Sequence, residues 1–184
     1  MKSKVKFVDA KTMLFSFVYT SQNWLFSFDI KSGYHHMDIF PPDQEFLGFS
    51  WFKDGFTHFY KLNFSVLPFG LTTGPYILIK VMGPLVRYRR LQAFRIAVYL
   101  DDGLGVCPSF ADCFSLSLAV KSDLFHAGFV ANTQKRIWAP VQSLRGLGYR
   151  WDLKDNLLTV PEGKIDKLLV SIDNALSQSS LPAR

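Results

Sequence analysis

The stretch Phe94-Arg95-Ile96-Ala97-Val98-Tyr99-Leu100-Asp101-Asp102-Gly103-Leu104-Gly105-Val106-Cys107 decides how the rest of the chain is read. Two arms of alternating apolar residues flank an Asp-Gly pair, the strongest short-range hairpin signal a sequence offers. Two acids at such a tip repel each other, so folding gains nothing from the pair itself. A bound cation would explain them. Oxygen ligands at tight spacing suit Mg²⁺, which keeps waters and shares its shell with substrate phosphates. The ordinary alternative is a solvated turn, where Asp bonds its own backbone.

A third carboxylate upstream favours the cation. In Leu25-Phe26-Ser27-Phe28-Asp29-Ile30, Phe26, Phe28 and Ile30 share one face, and Ser27 and Asp29 share the other. A half-buried strand is the simplest account, with Asp29 near its end and pointing away from the core. The turn Lys31-Ser32-Gly33 then brings in Tyr34. If this strand lies beside the hairpin, three carboxylates meet at one sheet edge. Two ions held ~4 Å apart by such acids would stabilise both oxygens of an in-line phosphoryl transfer. Asp29 and Asp101 are the expected direct ligands. Successive strand residues face opposite ways, so Asp102 is expected to matter less.

Working outward, Asp43–Leu67 reads as a hairpin turning at Lys53-Asp54-Gly55. Leu67-Pro68-Phe69-Gly70-Leu71 is a loop, followed by a helix with Thr72 or Thr73 as cap and Pro75 in its first turn. That helix runs to about Leu91, kinks at Gly83-Pro84 and ends in Arg87, Arg89 and Arg90, candidate phosphate contacts. After the acidic hairpin, Ser109 and Asp112 open a second helix and Gly128 closes it. Phe129–Ala131 reads as a short strand and Gln134-Lys135-Arg136 as a loop. Leu144–Trp151 and Leu157–Val160 flank a turn at Lys154-Asp155-Asn156. Ile165, Leu168, Leu169, Ile172 and Leu176 share one face of a last helix, before a polar tail through Ser180. The order gives an α+β fold with an antiparallel sheet.

Composition agrees. A chain of 184 residues, 48% hydrophobic and 16% aromatic, is one domain with a real core and is not disordered. Its net charge of +6 permits a polyanionic partner. Cys107 and Cys113 lack metal-site spacing and read as reduced thiols. No apolar run is long enough for a membrane span. Residues 1–24 read as a short helix or loop, and Asp9 and Lys11 interrupt the leader-like character of Met1–Tyr19. The expected location is inside the cell, cytoplasmic or nuclear.

Phe28-Asp29-Ile30-Lys31-Ser32-Gly33-Tyr34, then Leu67-Pro68-Phe69-Gly70-Leu71 with Pro75, then Tyr99-Leu100-Asp101-Asp102 resemble reverse transcriptases in order and spacing. Gly128-Phe129, Lys135 and Leu147-Gly148-Tyr149 resemble two later motifs of that family. The wording of Phe26 to His36 looks most like retrotransposons of the DIRS type, with gypsy-like elements second. The resemblance implies a polymerase palm with part of the fingers over residues 1–160. Residues 161–184 would be a connecting helix that begins a thumb. The family's basic fingers residues lie further upstream of Asp29 than this chain reaches.

Residue by residue, the resemblance makes Asp29, Asp101 and Asp102 the catalytic acids. They would bind two Mg²⁺ ions, with Mn²⁺ as substitute, joined by Ile30. Lys135 would protonate the leaving pyrophosphate. Tyr34 would exclude a 2′-hydroxyl, and Phe69, Gly70, Tyr99 and Leu100 would line the nucleotide site. Pro75 would pack near the template, and Leu147 and Gly148 would grip the primer. The implied partners are an RNA or DNA template with primer, and dNTPs. The implied activity is RNA-directed DNA polymerisation. The alternative is a catalytically incomplete or domesticated palm that binds nucleic acid or protein.

Overall fold

The computed structural model describes residues 21–61 and 64–177. The expectations for residues 1–20 and for the tail beyond Ser177 lie outside the described residues.

The fold is α+β. A four-stranded antiparallel sheet forms its centre, in the order β4-β5-β1-β6. Its strands are β1 (Trp24–Asp29), β4 (Arg95–Tyr99), β5 (Asp102–Cys107) and β6 (Ile137–Val141). A hairpin of β2 (Gly48–Lys53) and β3 (Phe56–Lys61) stands apart from it. A three-stranded sheet comprises β7 (Ser143–Gly146), β8 (Tyr149–Asp152) and β9 (Leu157–Thr159). Three helices complete the chain: α1 (Gly74–Leu91), α2 (Phe110–His126) and α3 (Glu162–Leu176).

β1 is the hinge of this arrangement and is buried on both faces, not one. Phe26, Phe28 and Ile30 join Leu78 and Met82 of α1 and Leu116, Val120 and Leu124 of α2 in the larger core. Leu25, on the other face, packs with Leu104 and Val106 of β5 and with Leu144 and Trp151 of the small sheet. The small sheet covers the face that the sequence pattern assigns to solvent. Each fully buried aromatic or aliphatic side chain stabilises the fold by roughly 1.5–3 kcal/mol.

Glycines in β5 make room for the rings of β1. Phe28 pairs with Gly103 and Phe26 with Gly105. A Cβ on Gly103 would lie 2.1 Å from the Phe28 ring, and one on Gly105 would lie 2.0 Å from that of Phe26. Trp138 of β6 stacks on both rings, with centroids 6.3 and 5.9 Å away. Gly103 is therefore a packing residue within the strand and not a turn residue. The two-residue turn is Leu100-Asp101, two positions earlier than the Asp-Gly signal places it, with Leu100 at φ 57°.

Other details depart from the sequence reading. Thr73 precedes α1 without a side-chain cap, and the helix runs unbroken through Pro84. Pro75 in the first turn needs no partner for an N–H it lacks. The cap of α2 is as expected: Ser109 Oγ accepts from the Asp112 N–H at 3.1 Å. Gly128 ends that helix at φ 80°. Leu144–Trp151 is itself a hairpin, turning at Leu147 and Gly148 with φ of 54° and 84°. The apolar face of α3 is helical as expected but remains exposed.

Candidate active site

The acids arrive by strand register. β1 pairs antiparallel with β5 so that Asp29 stands opposite Asp102. Asp29 and Asp102 line one cleft of about 500 Å³ together with Gln134, Lys135, Arg145 and Gly148. The backbone around Asp29 is fixed on both sides. The Ile30 N–H donates to the Asp101 carbonyl at 2.8 Å, and the Asn132 N–H donates to the Asp29 carbonyl at 2.7 Å. Ile30 itself is a buried core residue, so only its carbonyl could serve a cation.

Lys135 reaches this cleft from the loop before β6. Its Nζ stands 3.6 Å from Asp29 Oδ2, with a side chain 69% exposed against 9% for Asp29. Such an exposed pair stabilises the fold little. Its value is positional, since it holds a mobile ammonium beside the carboxylates.

Asp101 opens on the other side. It lines a separate cavity of about 260 Å³ with Gly33, Tyr34, Phe69, Leu78 and Leu100. The rings of Tyr34 and Phe69 meet edge to face at 5.0 Å. Gly70 takes φ 92°, which turns the loop behind Phe69. Gly74, the first residue of α1, lies close under the Tyr34 ring, where a Cβ would sit 3.8 Å away. Pro75 follows it in the same turn.

The electrostatics match a site short of positive charge. Burial raises the Asp101 carboxyl above the usual carboxylate range, and the charge of Asp29 adds to the rise. Asp102 is raised by burial, then by Asp29 and Asp101, although the Leu147 backbone and Lys135 oppose the rise. Tyr34 is raised by burial and by the nearby Asp101 and Tyr99. The three carboxylates thus feel one another. They do not close into a cage: among the described residues no three His, Cys, Asp or Glu side chains are placed to hold an ion. The donor set still fits Mg²⁺, which is commonly held by one or two carboxylates and completed by water and substrate phosphates.

The family model for reverse transcriptase (RNA-dependent DNA polymerase) matches residues 6–151. The chain belongs to the reverse transcriptase family. No curated protein sequence matches it. Among solved structures, the foamy viral protease-reverse transcriptase in complex with dsDNA superposes with a TM-score of 0.68 at 16% identity. That match covers 98% of this chain and 33% of the other. The same protein in complex with RNA/DNA hybrid gives a TM-score of 0.62 at 16% identity, over 90% of this chain and 21% of the other. The likeness establishes the palm and fingers fold, and this chain spans about a third or less of those proteins.

Of the candidate phosphate contacts at the end of α1, Arg89 and Arg90 hold partners within the fold, while Arg87 has none among the described residues. Arg89 binds Asp123 of α2 through two nitrogens, at 2.6 and 2.7 Å. Arg90 donates its Nε–H to the Ile96 carbonyl at 2.9 Å. Ile96 lies near the start of β4, while the acidic turn follows its far end. These two residues therefore fasten α1 to its neighbours.

Arg145 and Gln134 are cleft residues that sequence reasoning missed. Arg145 offers one signal, visible only with the register in hand. It pairs across the β7–β8 hairpin with Arg150, a like-charge pair that destabilises a sheet. His36 accepts the Val130 N–H at Nε2.

Proposed function

We propose that this chain is the palm and part of the fingers of an RNA-directed DNA polymerase that adds dNTPs to a primer by two-metal-ion phosphoryl transfer. The observation that carries this reading is the register of β1 on β5. It sets Asp29 opposite Asp102 and leaves Asp101 at the adjoining turn, facing the aromatic cavity. Asp29, Asp101 and Asp102 would hold the ions, with the Ile30 carbonyl beside them. Bound there, two Mg²⁺ or Mn²⁺ ions would activate the primer hydroxyl and neutralise the departing pyrophosphate.

The chain's own residues supply the rest. Tyr34, packed on Phe69 and above Gly74, forms a rigid floor against the sugar and excludes a 2′-hydroxyl. Phe69, 65% exposed, offers its ring to a base, with Gly70 giving the loop its turn. Tyr99 and Leu100 border the same site. Lys135 holds a proton within reach of Asp29 and gives it to the leaving pyrophosphate. Leu147 and Gly148 form the turn whose backbone touches Asp102, which joins a primer-gripping hairpin to the acids. Arg145 and Arg150 gain from a nucleic-acid phosphate what they lose by facing each other. Pro75 begins the helix that borders the template.

Retrotransposon origin rests on the wording of residues 26–36, DIRS-type before gypsy-like, and location inside the cell follows from that reading. Primer extension on poly(rA)·oligo(dT) with dTTP and Mg²⁺ tests the activity, using this chain and any longer polypeptide that carries it. Template-dependent extension that Asp29→Asn abolishes is the expected result. The division of Asp101 from Asp29 and Asp102 between two cavities favours one second reading, a binding palm without catalysis. Salt-sensitive primer–template binding with no extension in either polypeptide would establish it.

A further inference from the structure

Between α1 and β4 lies an apolar cavity of about 340 Å³ that none of the assignments above uses. Met82, Val86, Val98 and Leu100 line it, and Arg87 and Arg90 line its exposed side. Its size falls within the range of small-ligand sites, roughly 300–1,000 Å³. The arginines of this turn differ in partners. Arg89 is neutralised by Asp123. Arg90 meets only the Ile96 carbonyl, and Arg87 has no hydrogen bond or ion pair among the described residues. Burial lowers the Arg90 guanidinium from its ordinary value with no acid opposing it. Two uncompensated cations therefore border an apolar hole. A molecule with an apolar body and one anionic end complements both.

We propose that this cavity binds a small apolar carboxylate, its body against Met82, Val86 and Val98 and its charge between Arg87 and Arg90. The site also has a route to the reacting end of the molecule. Leu100 lines this cavity and the Tyr34–Phe69–Asp101 cavity alike, at φ 57° in the turn before the acids. An occupant of one cavity presses on a wall of the other. Binding stands on the cavity alone, and only its consequence for nucleotide addition rests on the polymerase reading.

The test is a titration of decanoate, kept below its micelle-forming concentration, into chain labelled at methionine methyls and backbone amides. The Met82 methyl resonance should move saturably, and the Leu100 and Asp101 amides should move with the same midpoint. Val86→Phe, which fills the cavity, should weaken binding at least ~10-fold, and Arg87→Gln about 3- to 10-fold. Decanol, equally apolar but uncharged, should bind at least ~10-fold more weakly than decanoate. A Met82 methyl that never moves overturns the proposal, as do equal midpoints for decanoate and decanol. A folded Val86→Phe chain with the parent's affinity overturns it too. Still amides at Leu100 and Asp101, with Met82 moving, overturn the link between the cavities. No polymerase activity is needed for any of these readouts, so this proposal fails or stands separately from that one.

Discussion

Asp101 and Asp102 are neighbours in the chain, yet they open into different chambers. Asp102 shares a polar cleft with Asp29, Lys135 and Arg145, while Asp101 shares an aromatic cavity with Tyr34 and Phe69. Asp102 opens β5 while Asp101 sits in the turn before it, and that change from turn to strand backbone divides them. The polar side suits a mobile, charged partner such as primer and pyrophosphate. The aromatic side suits a flat ring and a sugar. Were a cation held here, Asp29 would serve it from the polar chamber and Asp101 from the aromatic one.

The sharpest way to break this comparison is to neutralise one acid at a time. Asp29→Asn and Asp101→Asn should each lower primer extension by about 10³-fold or more, the loss of several kcal/mol of charge stabilisation. Asp102→Asn should lose less, about 10- to 100-fold, because the Leu147 backbone already engages its carboxylate. Equal losses at 101 and 102 under single-turnover conditions would erase the difference between the chambers.

Next comes the aromatic side. Tyr34→Ala should cut discrimination against ribonucleotides by roughly 10- to 100-fold, with incorporation of dNTPs retained. Unchanged sugar selectivity would remove Tyr34 from that role. A smaller effect is expected on the sheet between the chambers. Gly103→Ala would set a Cβ 2.1 Å from the Phe28 ring, and overpacking of this kind costs about 1–3 kcal/mol. Urea unfolding measures it, and a midpoint equal to the parent's would show that the ring has room to move.

The smallest effect is on pH dependence. The Asp101 and Asp102 carboxyls are raised above 3.8 in the folded chain, so the folded chain binds their protons more tightly than the unfolded chain does. Their contribution to stability therefore falls as pH rises from about 3.8 through the raised values. Activity, which needs both ionised, should rise over the same window. Comparing the unfolding free energy of the parent with Asp101→Asn, Asp102→Asn checks the sign. The parent should lose its advantage as pH rises, and a parent that gains with pH would contradict it.

The acidic hairpin and β1 were legible because alternation and turn residues are local signals. Local chemistry also misled at three places. Asp102-Gly103 reads as the turn, but Gly103 is needed beneath Phe28, so the turn falls to Leu100, a residue with little intrinsic preference for positive φ. β6 gives no clear strand signal, since Pro140 interrupts it, yet β6 is an edge strand, where proline is tolerated. The pattern gives Asp29 an open face because its cover, the sheet of β7 to β9, arrives more than a hundred residues later. The roles of Arg89 and Arg90 depended on Asp123 and Ile96, partners that no motif names. Local pattern reveals which residues carry charge, and long-range packing decides which of those charges are left to act.

The rings of Phe26 and Phe28 over Gly105 and Gly103 act as a ruler for the chemistry. Sliding β1 by one position would drive a benzyl group into Leu104 or Asp102, and sliding it by two would strand one ring without a gap. Only one alignment seats both rings, and that alignment brings Asp29 and Asp102 face to face. Placement of the acids is thus encoded in oily residues that never touch a nucleotide, where drift at the protein surface cannot reach it.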